Sequence, residues 1–318
     1  MHGIMTIFRK ELSDHFSSYR FLILFALIAM VSLITVYMAG MTITKELEGV
    51  AKPKFVFLML FTLSGAGFSL VQFVAFFGPV IGLILGFDTI NREKNEGTLS
   101  KLLSQPIYRD AVINGKFLAG LALIAVMMVS IVLVVSGMGL IVMGVIPGIE
   151  ECWRLFIYLI ISIVYISFWL GAAILFSILF RSVATSALAA LAMWVFFSFF
   201  VSLGANAVAN ALTPDAGASD PDAMMQRVRI GKAISLASPM ELYTDSTATI
   251  IDPMRRTTRS LVQIGMMERL SMERFSGPLS LWQSILVVLP YIISLIAITA
   301  VCFAVSYTVF LRQEIRSL

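Results

Sequence analysis

The chain has 318 residues, 59% of them hydrophobic and only 13% charged, with a net charge of +4 and a mean hydropathy of +0.93. Soluble globular domains carry about 25% charged residues, so the composition places the chain in the membrane class rather than among soluble enzymes. Its positive surplus is small and scattered, which argues against nucleic acid and fits a membrane protein with basic edges.

The opening stretch "MHGIMTIFRKELSDHFSSYR" has charge in the wrong places for a secretory signal, and no small-residue cleavage site follows the first apolar run. Ile4, Phe8, Leu12 and Phe16 recur every fourth residue, with Arg9, Lys10, Glu11, Ser13 and Asp14 elsewhere around the helix. This predicts an interfacial helix over 1–20, lying along the membrane surface ahead of the first span.

A helix needs about 20 apolar residues to cross the hydrocarbon. The first such run is Phe21 to Ile43. Phe55 to Ser64 is read as an interfacial or re-entrant piece, separated by Gly65-Ala66-Gly67 from the second run, Phe68 to Phe87. A polar island follows, with nine charged residues between Asp88 and Lys116. Burying it in lipid would cost about 2.5–3.5 kcal/mol for each central Lys, Arg or Asp, so it lies outside the bilayer. Within it Leu99, Leu102 and Leu103 share one face of a short helix. Gly97 permits a sharp turn into that helix, Asn95 or Thr98 can cap it, and Pro106 ends it. Periodicity alone leaves two readings open: a leucine ridge offered to a groove on a soluble partner, or a solvated loop.

The next apolar runs are Phe117 to Gly144, Leu155 to Phe180 and Ala187 to Ala207. A long segment, 208–280, then begins with Pro, Ala, Gly, Ser and Asp, which suggests a connector. Asp252-Pro253 can start a helix within it, carried on by Leu261, Ile264, Met267 and Leu270. It is expected as an outer loop, either structured but passive or acting as a small external cap or a substrate-entry element. The sixth run is Leu281 to Leu311. The fold class is therefore an all-α membrane protein with six transmembrane helices.

Lys and Arg in the flanking segments set the direction. Arg9, Lys10, Arg20, the five basic residues of 88–116, Arg181, Arg312 and Arg316 make eleven on one side, against four, Lys45, Lys52, Lys54 and Arg154, in the short loops of the other. The expectation is a multi-pass protein of the cell inner (plasma) membrane, with both termini and 88–116 in the cytoplasm and 208–280 outside.

None of the six runs carries Asp, Glu, His, Lys or Arg in its central portion, and both histidines, His2 and His15, are N-terminal. Proton relays and charged ion sites place such groups inside their spans, so a gradient-driven carrier is disfavoured. A phosphate loop is also missing. "DAVINGKF" lacks the first glycine of G-x-x-x-x-G-K-[ST] and has Phe117 where Ser or Thr would hold magnesium. No catalytic residue is assigned. Cys152 and Cys302 form no CxxC and no disulfide framework. The eighteen methionines offer thioethers suited to Cu(I). No His or Cys joins Met224, Met225, Met266, Met267 or Met272, and methionine commonly fills apolar helices; no metal site is assigned.

"FDTINREKNEGTLSKLLSQPIYRDAVINGKFLAG" resembles the signature region of ABC-2-type permeases. Asp88, Glu93, Lys94, Gly97, Thr98, Leu99, Leu102, Leu103, Ser104, Pro106, Arg109, Gly115 and Lys116 match it in order and spacing. "FRKELSDHFSSYRF" is similar to the family's N-terminal interfacial helix, and both segments look most like the permease of nitrous-oxide-reductase copper-site maturation, from which the long 208–280 loop departs. The resemblance implies a single permease domain over 1–318. It implies a coupling helix in 88–116 that docks an ABC ATPase through Glu93, Gly97, Thr98, Leu99, Leu102, Leu103, Pro106 and Arg109. It further implies a second permease copy or a sister permease as partner, ATP and magnesium held by the ATPase with no cofactor on this chain, and outward export of a substrate. A non-transporting scaffold that passes ATPase work to an outer-face partner uses the same coupling segment.

Overall fold

The structure is a computed structural model that describes residues 2–48, 53–63, 68–105, 107–213, 221–254 and 277–313. Every regular element among the described residues is helical. In chain order they are α1 (His2–Phe16), α2 (Tyr19–Glu46), α3 (Val56–Thr62), α4 (Leu70–Gly86), α5 (Asn91–Asn95), α6 (Thr98–Leu103), α7 (Arg109–Met143), α8 (Ile149–Leu179), α9 (Val183–Val195), a π-helical turn (Phe196–Phe200), α10 (Val201–Leu212), α11 (Pro221–Ser235), α12 (Pro239–Ile251) and α13 (Leu281–Arg312). Six rods are long and apolar enough to cross a membrane: α2, α4 with its extension to Asn95, α7, α8, the α9–α10 rod, and α13. The six expected spans are thus present. The fifth is longer than expected and takes 208–212 from the expected loop.

The central rod is α8, whose Trp169, Tyr158 and Tyr165 are fully enclosed. Lipid tails are as apolar as leucine, so burial in a bilayer supplies little drive for helices to associate, and close contact has to do so instead. The sequence provides it in Gly78, Gly82 and Gly86, spaced by four on the face of α4 toward α8. A Cβ on Gly82 would lie 2.6 Å from the Ile166 carbonyl oxygen and 2.7 Å from the Leu170 nitrogen, so only glycine permits this approach.

Two irregularities free backbone carbonyls inside the bundle, and each is met by a hydroxyl. Pro79 has no N–H to give the Ala75 carbonyl four residues back, and the Tyr165 hydroxyl donates to that carbonyl at 2.7 Å. The π turn interrupts the α9–α10 ladder, and Ser238 Oγ donates to the Phe197 carbonyl at 2.9 Å. Unpaired carbonyls at this depth would cost several kcal/mol each.

The expected outer loop does not lie wholly outside the bundle. Ser238 meets Phe197 about 21 Å along its rod from Val183, near the middle. From there α12 runs with Tyr243 enclosed and stacked on Tyr165 at 4.4 Å. α11 lies along α10, where Arg227 donates to Asn210 Oδ1, and returns to the same depth. Together α11 and α12 form a helical hairpin that folds back among the spans. Lys232 of α11 pairs with buried Asp245 of α12. The hairpin therefore brings charge into a bundle whose spans have none at their centres. The expected helix through Leu261, Ile264, Met267 and Leu270 lies outside the described residues, as do Gly65-Ala66-Gly67, Met266 and Met272.

α3 shows the same enclosure from the other side of the sequence. Phe57, Leu60 and Phe61 are fully buried, which favours the re-entrant reading of 55–64 over the interfacial one. Glu151 stands at its first turn and accepts from the Phe57 and Gly148 amides at 3.2 and 2.8 Å, as a carboxylate does at a helix N-terminus.

Candidate functional site

The polar island is a compact crossover fastened to several helix ends. Ser177 Oγ, near the end of α8, accepts from the Ile90 and Asn91 amides at 2.9 and 3.1 Å and so holds the start of α5. Asn95 donates to the Arg181 carbonyl at 3.1 Å, and Ser186 to the Phe87 carbonyl at 2.7 Å, joining the α8–α9 corner. Arg109 donates to the Gln313 carbonyl at 3.0 Å, and Gln313 in turn to Ile178 O at 3.1 Å, joining α7, α13 and α8. Arg20 reaches Asp88 at 2.6 Å.

Under the crossover lies a closed ring of four alternating charges. Lys116 Nζ is 2.8 Å from Glu11 Oε1 and 3.0 Å from Glu93 Oε1. Lys10 Nζ is 2.9 Å from the same Glu11 oxygen and 3.0 Å from the same Glu93 oxygen. The ring ties α1, the crossover and the base of α7 together with no net charge. Burial raises the Glu11 carboxyl, but Lys116 and Lys10 outweigh it and hold it below the ordinary carboxylate range. Burial likewise opposes the Lys10 ammonium, yet Glu11 and Glu93 hold it above the ordinary lysine value. Burial pushes the His15 imidazole down, with Glu11 and Asp88 pulling against it.

These directions predict a pH dependence for the packing of α1. A depressed group contributes stability above its unfolded value and loses it as the pH falls. The seating of α1 should therefore be intact at neutral pH. It should begin to loosen as the pH falls below the ordinary imidazole value of about 6.5, where the unfolded chain takes the proton that seated His15 resists, and again below the ordinary carboxylate value of about 4.3 for Glu11. The raised Lys10 value contributes at all these pH values and is lost only in strong alkali. Hydrogen exchange of α1 amides, corrected for intrinsic rates, should show both steps, and Glu11→Gln should abolish the lower one.

The residues singled out in the sequence fall in different settings. Glu93 belongs to the ring. Gly97 takes φ +69°, the left-handed conformation that glycine adopts without strain, and turns α5 into α6. Neither expected cap closes α6: Asn95 is committed to Arg181 O, and Thr98 donates back to Glu93 O at 3.2 Å. Leu99 points inward and is 1% exposed, and Leu102 packs half-buried against the same core. The face of α6 open to solvent is polar, with Thr98, Ser100, Lys101 and Ser104, and Tyr108 beyond it is 84% exposed. The Leu103 side chain and Pro106 lie outside the described residues. The sequence reading missed Lys10 and Glu11 as partners of the island. The available signal was the two consecutive opposite charges on an otherwise apolar-faced helix.

A family model described as ABC-2 family transporter protein matches residues 5–315. The chain belongs to the ABC-2 transporter family. It is a multi-pass membrane component, and membership implies an ABC ATPase subunit as its partner. The match spans α1 through α13 and so takes in the ring, the crossover and the re-entrant hairpin of this ABC-2 chain alike. No curated protein sequence matches the chain. Among the described residues no group of three or more His, Cys, Asp or Glu side chains is placed to hold a metal ion.

Proposed function

We propose that this chain is the permease subunit of an ATP-binding-cassette exporter, that the 88–116 crossover receives a separate ATPase, and that the crossover end of the bundle faces the cytoplasm. The observation that carries the proposal is the anchoring of the crossover. It is bonded to the ends of α7, α8, α9 and α13 and, through the charge ring, to α1. A push on so fixed an element reaches several spans at once. The surplus of Lys and Arg at that end supports its cytoplasmic orientation. Moving a two-state bundle from 1:99 to 99:1 requires about 5.5 kcal/mol of differential binding, within reach of a nucleotide-driven closure. In this reading Leu99 and Leu102 hold α6 to the bundle, and the ATPase meets Lys101, Ser104 and Tyr108. A second permease copy or a sister permease completes the assembly, on the barely enclosed fifth span.

Lys101→Glu with Tyr108→Ala is the direct test. Both side chains are exposed, so folding should be unchanged. An aromatic anchor carries about 2 kcal/mol or more of binding, and loss of that amount is about a thirtyfold weakening. Co-purification of the ATPase in detergent should fall accordingly. Recovery of the ATPase at wild-type yield with the double variant would refute docking on this face.

A further inference from the structure

We propose that the cleft between α1 and α7 is a binding site for one anionic phospholipid of the leaflet in which α1 lies. α1 is pressed onto α7 at Gly115, where a Cβ would lie 2.7 Å from Ile7 Cγ2, and is locked there by the charge ring. Beyond that contact its apolar edge overhangs α7 without touching it closely. The space left is a cleft of about 380 Å³ between Ile4, Met5 and Phe8 above and Leu118, Ala122 and Ala125 along the wall. The wall residues follow one helical stripe and run about 10 Å into the span on the bilayer side of Lys116. The two alanines make the hollow. Its lining has no polar group, so an acyl chain fits it and a hydrophilic ligand does not.

The charge at its margin selects the headgroup. Arg9 is exposed, adjacent to Phe8 and one turn from Met5. The other cations nearby, Lys10 and Lys116, are both committed to Glu11 and Glu93. Arg9 makes no ion pair among the described residues, which leaves an exposed guanidinium on the helix turn that borders the apolar slot. That pairing matches a phosphate on a lipid chain.

The test uses the full chain with its ATPase in nanodiscs of equal parts phosphatidylglycerol and phosphatidylcholine with identical acyl chains. Lipid retained after delipidation is counted by mass spectrometry of the intact assembly. Wild type should keep phosphatidylglycerol over phosphatidylcholine by about fivefold, the factor that one Lys or Arg contributes near an anionic surface. Arg9→Gln, on the exposed face, should keep one lipid but lose the preference. Ala122→Trp should fill the cleft and release that lipid. Soluble glycerol phosphate should not compete, because the chain and not the headgroup is enclosed. Equal retention of the two lipids by wild type overturns the proposal, as does unchanged retention in Ala122→Trp. A change in oligomeric state in that variant also overturns it, because it would identify the occupant as a second copy of the chain.

Discussion

Lys116→Met should lower the thermal midpoint of the detergent-solubilised chain by roughly 6 °C and uncouple the ATPase from the bundle. The Lys116 ammonium is 2% exposed and stands between two carboxylates. Its removal leaves Glu11 and Glu93 facing the same small space with only Lys10 to balance them. Breaking a buried pair from one side costs about 3–5 kcal/mol, because the remaining charge is stranded, and for a chain of this size each kcal/mol is worth about 1.5 °C. Lys10→Met provides the contrast. Its side chain is 45% exposed, and an exposed pair contributes about 0–1 kcal/mol. Adding Glu93→Gln to Lys116→Met should recover part of the loss, since it removes one stranded charge. If Lys116→Met melts no earlier than Lys10→Met, the ring does not hold the crossover to α1 and α7.

The second large effect is expected at the opposite end of the bundle. Arg154 is 0% exposed. One guanidinium nitrogen donates to the Thr249 and Ile250 carbonyls at 3.2 and 3.1 Å and to Ser284 Oγ at 3.1 Å. The other donates to Glu150 Oε1 at 3.0 Å and to the Leu279 carbonyl at 2.7 Å. The cation thus sits on the C-terminal carbonyls of α12, where the helix dipole favours it, and joins α8, α12 and α13. Arg154→Met should strand those acceptors and cost about 3–5 kcal/mol. Arg154→Lys should not rescue it, because a single ammonium has three donors and no planar fork to span three elements. The specific readout is a cysteine at Ser246, which is fully buried on α12, in a background with Cys152→Ser and Cys302→Ser. It should resist an impermeant thiol reagent with Arg154 in place and react in both variants. Equal protection in Arg154→Lys would show that the charge alone, without the fork, seats the hairpin.

Much of this protein was legible in its residues taken in order. Whether a stretch can cross a bilayer depends on about 20 consecutive side chains and their solvent, a local property, and the six rods stand where the apolar runs predicted them. The N-terminal helix and the break of the crossover at Gly97 are also local, set by a fourfold apolar repeat and by one residue free to take positive φ. Which way Leu99 faces is not local. The same i, i+3, i+4 spacing serves a ridge turned outward or a ridge that grips its own bundle, and only the packing of α6 on the core decides between them. The charge ring joins Glu11 to a lysine 105 positions away, a pairing that neither segment announces alone.

The burial of α12 was hidden for a further reason. Its hydroxyls bond back to the helix itself, Ser246 to the Leu242 carbonyl at 2.6 Å and Thr247 to the Tyr243 carbonyl at 3.0 Å. A segment that reads as polar in sequence thereby satisfies its own polar groups and can lie among apolar spans without the cost of bare donors. Arg154 likewise reads as one more basic residue of a short loop. The fold encloses it by bringing to it the backbone carbonyls of Thr249 and Ile250, that of Leu279 and the Ser284 hydroxyl, and that convergence exists only in the tertiary structure.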